Sequence, residues 1–522
     1  MKKNKIALIG LLLACSLTFK GCADWLSVDP KEGMTEVQAF SSELLTNSVL
    51  NGMYGALAHT HLYGQYLTQT FIEYLARYYY WRPGDTQADA AFNYWGQTAL
   101  FNYRGHTSTR YRIQNIWNRA YETIMSLNVF IERVEAMEAG IIRESRRNVL
   151  LGEAYALRAF LHFDIFRLFG PIHLNDEHVG LPYNNTTEVV PHDRLPAAQF
   201  IQLVQQDLDR AVELLENDPV RTRGANDNFV AIMLNITLSP EDVFAEYFRN
   251  RRMNYFAVRA LQARVWLHIG EHAQAIAAAQ ATLDAIREND SFRWETDRVL
   301  IERHRNFVFH REILFGINSA NLHEQWVRLF DGTQPGQTTI VSSVTLYHHL
   351  FADFPGEALA AMSDIRALQW RRSSVADLGF ETYISTKFRE PSHIVHWGNV
   401  PYFPNLQPLI RMSELYLIMA EAHLATDRLT EAAHWLNTLM SNRGMLPEQL
   451  IGWGGAEIMR DDVFQRLRRE VYKEFVGEGQ AFFFLKRNNM QEIFSGRLDA
   501  NFTTITPRNV FILPLPDSET TL

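Results

Sequence analysis

Cysteine is almost absent. The 522 residues hold two, Cys15 and Cys22, both within the first 22 positions. The rest of the chain can therefore build neither a disulfide framework nor a thiolate metal site. Long apolar runs are also scarce: the one sustained run, Ile6 to Phe19, has 14 residues, short of the ~20 that a membrane-spanning helix needs. Positive charge is in deficit. The formal net charge of −9 becomes −13 when residues 1–21, with four lysines and no acid, are removed. A nucleic-acid partner calls for the opposite balance. Apolar residues at 47% and charged residues at 21% exclude a disordered, collagen-like or polytopic membrane chain. Neither a Gly-x-Ser-x-Gly elbow nor a Gly-rich phosphate loop occurs, so no enzyme and no cofactor is expected. His268-Ile-Gly-Glu-His272 matches an inverted zinc-protease pattern. Gly270 falls where a turn is expected, which would separate the two histidines, and no metal site is expected there.

Lys2, Lys3 and Lys5 precede the apolar run, the arrangement of an export signal. Gly21-Cys22 then places a cysteine at the start of the mature chain. With no partner thiol beyond it, lipid attachment at Cys22 is the expected use. Leu12-Leu13-Ala14-Cys15 competes as a cleavage site but leaves a shorter apolar stretch ahead of it. Residues 1–21 are thus a lipoprotein signal peptide, and the mature chain is anchored through lipid.

Helical periodicity dominates the mature chain. Ile113 to Met137 carries Ile116, Trp117, Ala120, Tyr121, Ile124, Leu127 and Ile131 on one face, and Glu144 to Phe169 is a second amphipathic run ended by Gly170-Pro171. These predict an antiparallel pair. Ala197 to Leu215 predicts another helix, and Tyr255 to Ile269, Gly270, then Glu271 to Ile286 predicts helix, turn, helix. The spacing of Ala263, Trp266, Gly270, His272 and Ala275 returns in Ala420, His423, Asp427, Leu429 and Ala432. Small residues facing a partner helix and a turn residue five positions before the second alanine are the pattern of a tetratricopeptide-type hairpin, and such hairpins must stack to bury their faces. A further helical insertion is expected at Pro240 to Arg252.

Between these units the chain changes character. Residues 78–104 and 287–407 are rich in aromatics, Gly, Pro, Asn and Thr, and long irregular segments of this kind are functional loops more often than filler. Nine aromatics fall in residues 78–103, where the chain average of 12% would give about three. Trp81, Trp95, Tyr80 and Tyr94 could stack on sugar rings or on apolar peptide side chains, with Arg82 and Asp85 hydrogen-bonding beside them. The alternative is that the loop packs a satellite core of its own, to which Tyr78 and Phe101 would belong. Asp461-Asp462 reads as a helix start, and Glu414, Glu421, Arg468, Arg469 and Glu470 as structural charges on helices.

Several segments together carry a resemblance. They are Cys22-Ala-Asp-Trp-Leu-Ser-Val-Asp-Pro30, Trp117 through Tyr121 to Asn128, Gly152-Glu-Ala-Tyr-Ala-Leu-Arg through Gly170-Pro, Ser363-Asp-Ile-Arg366, Arg411-Met-Ser-Glu through Ala422, Glu470 to Gly479, and Leu513-Pro-Leu-Pro516. In this order they resemble SusD/RagB-family outer-membrane lipoproteins of Bacteroidota over nearly the whole chain. The resemblance implies a mainly α fold of four tetratricopeptide-like hairpins with long irregular loop insertions. It also implies one SusD-like domain over 22–522, with an N-terminal part to about 345 and a C-terminal part from about 346. It implies a cell-surface protein that captures an oligosaccharide and delivers it to a SusC-like TonB-dependent transporter, without chemistry of its own. The acidic start Asp24, Asp29 and Glu32 is similar to surface-export signals of such lipoproteins; a solvated leader is the plainer reading. Trp326, in the segment to Tyr347, lies where the resemblance puts the other side of the pocket. A peptide ligand, as in some members, and a scaffold that assembles surface proteins through its hairpins are the alternatives.

Overall fold

The computed structural model describes residues 35–80, 90–225, 247–302, 305–331, 339–351, 363–373, 381–389, 405–497 and 502–520. The signal segment, Cys15 and Cys22 lie outside them.

Helices appear at each described stretch where the apolar period called for one, and at others besides. In chain order they are α1 (Glu43–Leu57), α2 (Phe71–Leu75), α3 (Ala90–Ala99), α4 (Thr107–Glu135), α5 (Glu144–Phe169) and α6 (Ala197–Leu214). They continue with α7 (Tyr255–His268), α8 (His272–Glu288), α9 (Met412–Ala425), α10 (Leu429–Asn442), α11 (Arg460–Glu474) and α12 (Ala481–Arg487). Helix α5 lies between α4 and α6, α7 pairs with α8, and α9 packs on both α8 and α10. The two expected hairpins, α7–α8 and α9–α10, share their turn chemistry. Gly270 (φ 83°) and Asp427 (φ 62°) are both left-handed at the equivalent position, a conformation open to Gly and tolerated by Asp. Ala263, Ala275, Ala420 and Ala432 are wholly buried, as the close approach of paired helices demands. The architecture is mainly α, with tetratricopeptide-type hairpins and long loop insertions.

One expectation changes. The segment 78–104 is not irregular throughout, because α3 occupies its middle. Of the insertion Pro240 to Arg252, residues 247–252 are described, and they hold one tight helical turn at Arg249–Arg251. The wholly buried Arg249 there donates to Asp218 at 2.9 and 2.8 Å and to Glu153 at 2.7 Å.

Short strands stitch the later loops together. They are β1 (Ile313–Asn318), β2 (Ser342–Ser343), β3 (Trp370–Ser373), β4 (Thr382–Ser385) and β5 (Leu406–Arg411). β1 pairs antiparallel with β5 in the register Ile317↔Gln407, and β4 is central between β2 and β3. Every residue of β5 is buried, as is every residue of α5 from Val149 to Phe169 except Tyr155. A helix buried on all sides must pair its polar groups. Arg158 forks onto Asp207 at 2.7 and 2.6 Å, and the Tyr63 hydroxyl donates to Asp164 at 2.7 Å. The buried Lys486 of α12 donates to the carbonyls of Arg167 (2.8 Å) and Gly170 (2.7 Å), closing the C-terminal end of α5 from 316 and 319 residues away. The Leu513 N–H donates to Leu168 O at 3.0 Å alongside.

Two of the charges read as structural in the sequence, Glu414 and Glu421, sit in helix–helix contacts. Arg264 forks onto Glu414 at 2.6 and 2.7 Å, and Arg487 onto Glu421 at 2.6 and 2.5 Å. Glu470 belongs to a larger array. Five cations (Arg366, Lys387, Arg411, Arg443 and Lys473) meet five carboxylates (Glu312, Asp364, Glu470, Glu474 and Glu478), all of them buried. Glu474 stands at the centre and accepts from Arg411 (2.5 Å), Arg366 (3.1 Å) and Arg443. Burial alone would raise its pKa, but Arg443, Arg411 and Arg366 outweigh burial and hold it well below the usual carboxylate range.

The inverted zinc motif comes apart as its glycine suggested. His268 ends α7 with its ring edge-on to Phe163 at 5.5 Å, and burial holds its pKa well down. Glu271 is exposed in the turn beyond Gly270. Among the described residues no three His, Cys, Asp or Glu side chains cluster as metal ligands would.

Candidate functional site

The aromatic-rich segment begins inside the molecule. Helix α2 is buried at all five positions, and Tyr78, Tyr79 and Tyr80 follow it inward. Each is fixed by a hydrogen bond: Tyr78 Oη to Tyr472 O (2.8 Å), Tyr79 Oη to Gln69 O (2.8 Å) and Tyr80 N–H to Val341 O (2.8 Å). Burial, and after it the Glu73 carboxyl, pushes the Tyr78 and Tyr79 phenols well above their ordinary pKa, so they serve as neutral hydrogen-bonding rings. Glu73 is itself buried and accepts from the Gly479 N–H at 2.9 Å; burial pushes its pKa well up. Gly479 has φ 74°, and a Cβ there would lie 2.1 Å from Leu67 O, so the loop tolerates no side chain at this point.

Trp95 stands on α3 with both indole faces covered. Tyr74 stacks on one at 5.1 Å and 4°, and the Arg112 guanidinium lies over the ring at 4.3 Å. Arg77 repeats the device over Phe101 at 4.4 Å, and burial pushes its pKa down to about 10. Trp326 is 1% exposed and donates its Nε1–H to Ser385 O at 2.8 Å. Tyr80, Trp95 and Trp326 are therefore buried floor in this structure and not exposed contacts. Trp81, Arg82 and Asp85 lie outside the described residues, as does the side chain of Tyr94.

The segments 78–80 and 326–341 pack against one another. The Tyr79 ring packs on Phe330 at 5.8 Å, Phe330 stacks toward Trp326 at 6.5 Å, and Tyr80 bonds to Val341. The chain thus enters 81–89 and leaves 332–338 from one shared aromatic floor. Glutamines tie that floor together, a part that sequence reasoning missed. Gln325 donates to Gly64 O (2.6 Å) and Gln69 (3.0 Å), Gln69 to Gln407 (3.1 Å), and Arg328 to Gln65 (3.2 Å). The partners are up to 338 residues apart, and an isolated Gln carries no sequence signal.

Stacked helical hairpins beside a buried aromatic cluster make a helical-repeat scaffold. The chain belongs to the SusD/RagB family. Residues 24–238 match the family model described as starch-binding and associating with the outer membrane, and residues 382–519 match the SusD family model. Two SusD-like proteins of Formosa agariphila, P2 and P38, are each 26% identical, over 217 and 223 residues. Those stretches are 41% and 40% of this chain and 38% of each relative, so the match spans well under half of either protein. A SusD superfamily protein of Bacteroides thetaiotaomicron superposes with a TM-score of 0.67 at 21% identity, over 92% of this chain and 98% of its own. A SusD-like carbohydrate binding protein of Bacteroides vulgatus superposes with a TM-score of 0.61 at 16% identity, over 92% and 96%. At these identities the structural likeness speaks to the fold alone.

Proposed function

We propose that the protein is a surface-exposed, lipid-anchored outer-membrane protein that captures an oligosaccharide and delivers it to a SusC-like TonB-dependent transporter. The observation that carries this reading is the meeting of the 78–80 and 326–341 segments on one aromatic floor, within a family whose matching model is described as starch-binding. Trp81, Tyr94, Arg82 and Asp85 make the ligand contacts, and Tyr80, Trp95 and Trp326 form the base that holds them in place. The role is capture without catalysis. Residues 22–522 act as one SusD-like unit whose two parts divide near residue 345, tethered through Cys22.

A glycan array probed with wild-type protein and with Trp81→Ala tests the ligand reading. An exposed aromatic contact contributes ~0.5–1.5 kcal/mol beyond its area, so the variant should lose up to about tenfold in affinity. An array silent for the wild-type protein refutes carbohydrate capture. Cys22→Ser should release the protein from the outer-membrane fraction and abolish palmitate labelling; continued labelling refutes the anchor. Affinity purification of the wild-type protein from membranes should bring down a TonB-dependent transporter.

A further inference from the structure

Three cavities open along one strip of surface. The strip is the amino-terminal half of α4 with the segment Arg508–Glu519 laid beside it. Gln114 donates to Ser518 at 3.1 Å, Arg110 pairs with Asp517 at 3.5 Å, and Tyr103 Oη donates to Val510 O at 2.6 Å. The first cavity, of about 660 Å³, lies between Arg508, Asn509 and Tyr103. The second, of about 220 Å³, shares Tyr103, Arg104 and Pro514 with the first and continues to Tyr111 and Gln114. The third, of about 750 Å³, is walled by Trp117, Asn118, Glu122, Arg194 and Glu519.

Helix geometry explains the alignment. Thr107, Tyr111, Gln114, Asn118 and Glu122 recur every three or four positions, so they share one face of α4. At a rise of 1.5 Å per residue that face runs about 22 Å from Thr107 to Glu122, far longer than one sugar ring. Each cavity also carries an exposed apolar side chain at its edge: Val179 at the first (64%), Tyr111 at the second (62%) and Val190 at the third (52%). Among the described residues no ring packs against Tyr111.

The polar groups indicate what that surface contacts. Taken together, the three cavities are lined by four guanidinium groups (Arg104, Arg110, Arg194, Arg508) and five carboxylates (Glu122, Glu177, Asp193, Asp517, Glu519), with the amides of Gln114 and Asn118 among them, so neither charge is in large excess over the strip. A phosphate or a strongly charged polymer would meet like charges along the way, whereas a neutral chain of hydroxyls meets partners of both kinds. We propose that this strip binds an extended, neutral polysaccharide chain as a second site, separate from the 78–95 loop. The proposal rests on the carbohydrate-capture reading above. Its consequence is avidity: a polymer held at two points on one molecule dissociates more slowly than an oligosaccharide held at one.

The test uses the mature full-length protein in native gels containing amylopectin, laminarin, xylan or dextran. Arg104→Ala/Tyr111→Ala and, at the neighbouring cavity, Val179→Asp are run beside wild type and Trp81→Ala. All three strip residues are exposed, so circular dichroism should be unchanged. With the polymer that retards wild type, both strip variants should bind at least fivefold more weakly, and Thr107–Glu122 should gain protection from hydrogen exchange when polymer is added. Strip variants retarded like wild type, with Trp81→Ala impaired, overturn the second site and leave carbohydrate capture standing. If no polymer retards wild type, both readings fall. If calorimetry with a tryptic casein digest gives binding that the strip variants lose, the ligand is a peptide and the proposal is wrong.

Discussion

Glu474→Gln removes one charge from the middle of the ten-membered ionic core. The substitution keeps the shape and one acceptor oxygen, but it turns the other oxygen into an N–H donor facing guanidinium groups. Arg443 keeps its fork onto Glu312 (2.7 and 2.6 Å), Arg411 keeps Glu478 (2.9 Å), and Arg366 keeps Asp364 and Glu470. None of the three loses every partner, yet five cations remain against four carboxylates in a site closed to solvent. Removing one member of a buried pair costs ~3–5 kcal/mol, and at roughly 2 °C per kcal/mol for larger domains the melting temperature should fall by about 6–10 °C. Differential scanning calorimetry at pH 7 measures this, with Arg210→Ala, from an exposed pair with Glu213, as the control that should move by less than 1 kcal/mol. The pH arm has a definite sign. Glu474 and Asp364 are buried, but surrounding cations hold both below the ordinary carboxylate range, so their stabilisation is complete above the unfolded pKa of ~4 and drains away as pH falls below it. Wild type should lose stability steeply below about pH 4, and Glu474→Gln less steeply. A Glu474→Gln protein within 1 kcal/mol of wild type, with an unchanged acid limb, would refute the view that these charges are coupled.

Glu73 carries the opposite sign. Its raised pKa means that the buried carboxyl favours its proton, so stability is complete at low pH and falls as pH rises; Glu73→Gln should match or exceed wild type at pH 8, read by thermal melts at both pH values. Trp95→Ala empties the slot between Tyr74 and Arg112 and should cost ~3–5 kcal/mol in urea unfolding; a loss confined to ligand affinity would instead make the indole a contact residue. Ala275→Leu forces volume into the α7–α8 seam and should cost ~1–3 kcal/mol by the same assay, with ligand affinity retained.

The hairpins were legible because their residues repeat at helical spacing and their turns need a left-handed residue, which Gly270 and Asp427 supply. Helix α3 was not, since Phe92, Tyr94 and Trp95 make a helix and an aromatic loop look alike. The aromatic excess fitted a rim and a floor equally well, and only the faces covering Trp95 and the Ser385 bond to Trp326 distinguish them. The ionic core was present in the sequence as scattered signatures. Ser363-Asp-Ile-Arg366, Arg411-Met-Ser and the Glu470–Gly479 run are three of the segments that carry the family resemblance, and in the fold they meet at Glu474. Partners 63 to 108 residues apart in sequence cannot be paired by any local rule.

Lys486 bears on how such a chain is made. Helix α5 is complete in sequence at Phe169, but the carbonyls at its end wait for an ammonium group 316 residues further on. A ribosome delivers the amino-terminal portion first, and that portion must hold an open helix end until Lys486 has been made. Contacts this distant fold slowly and leave intermediates exposed. A product truncated before Lys486 would lose the closure of α5.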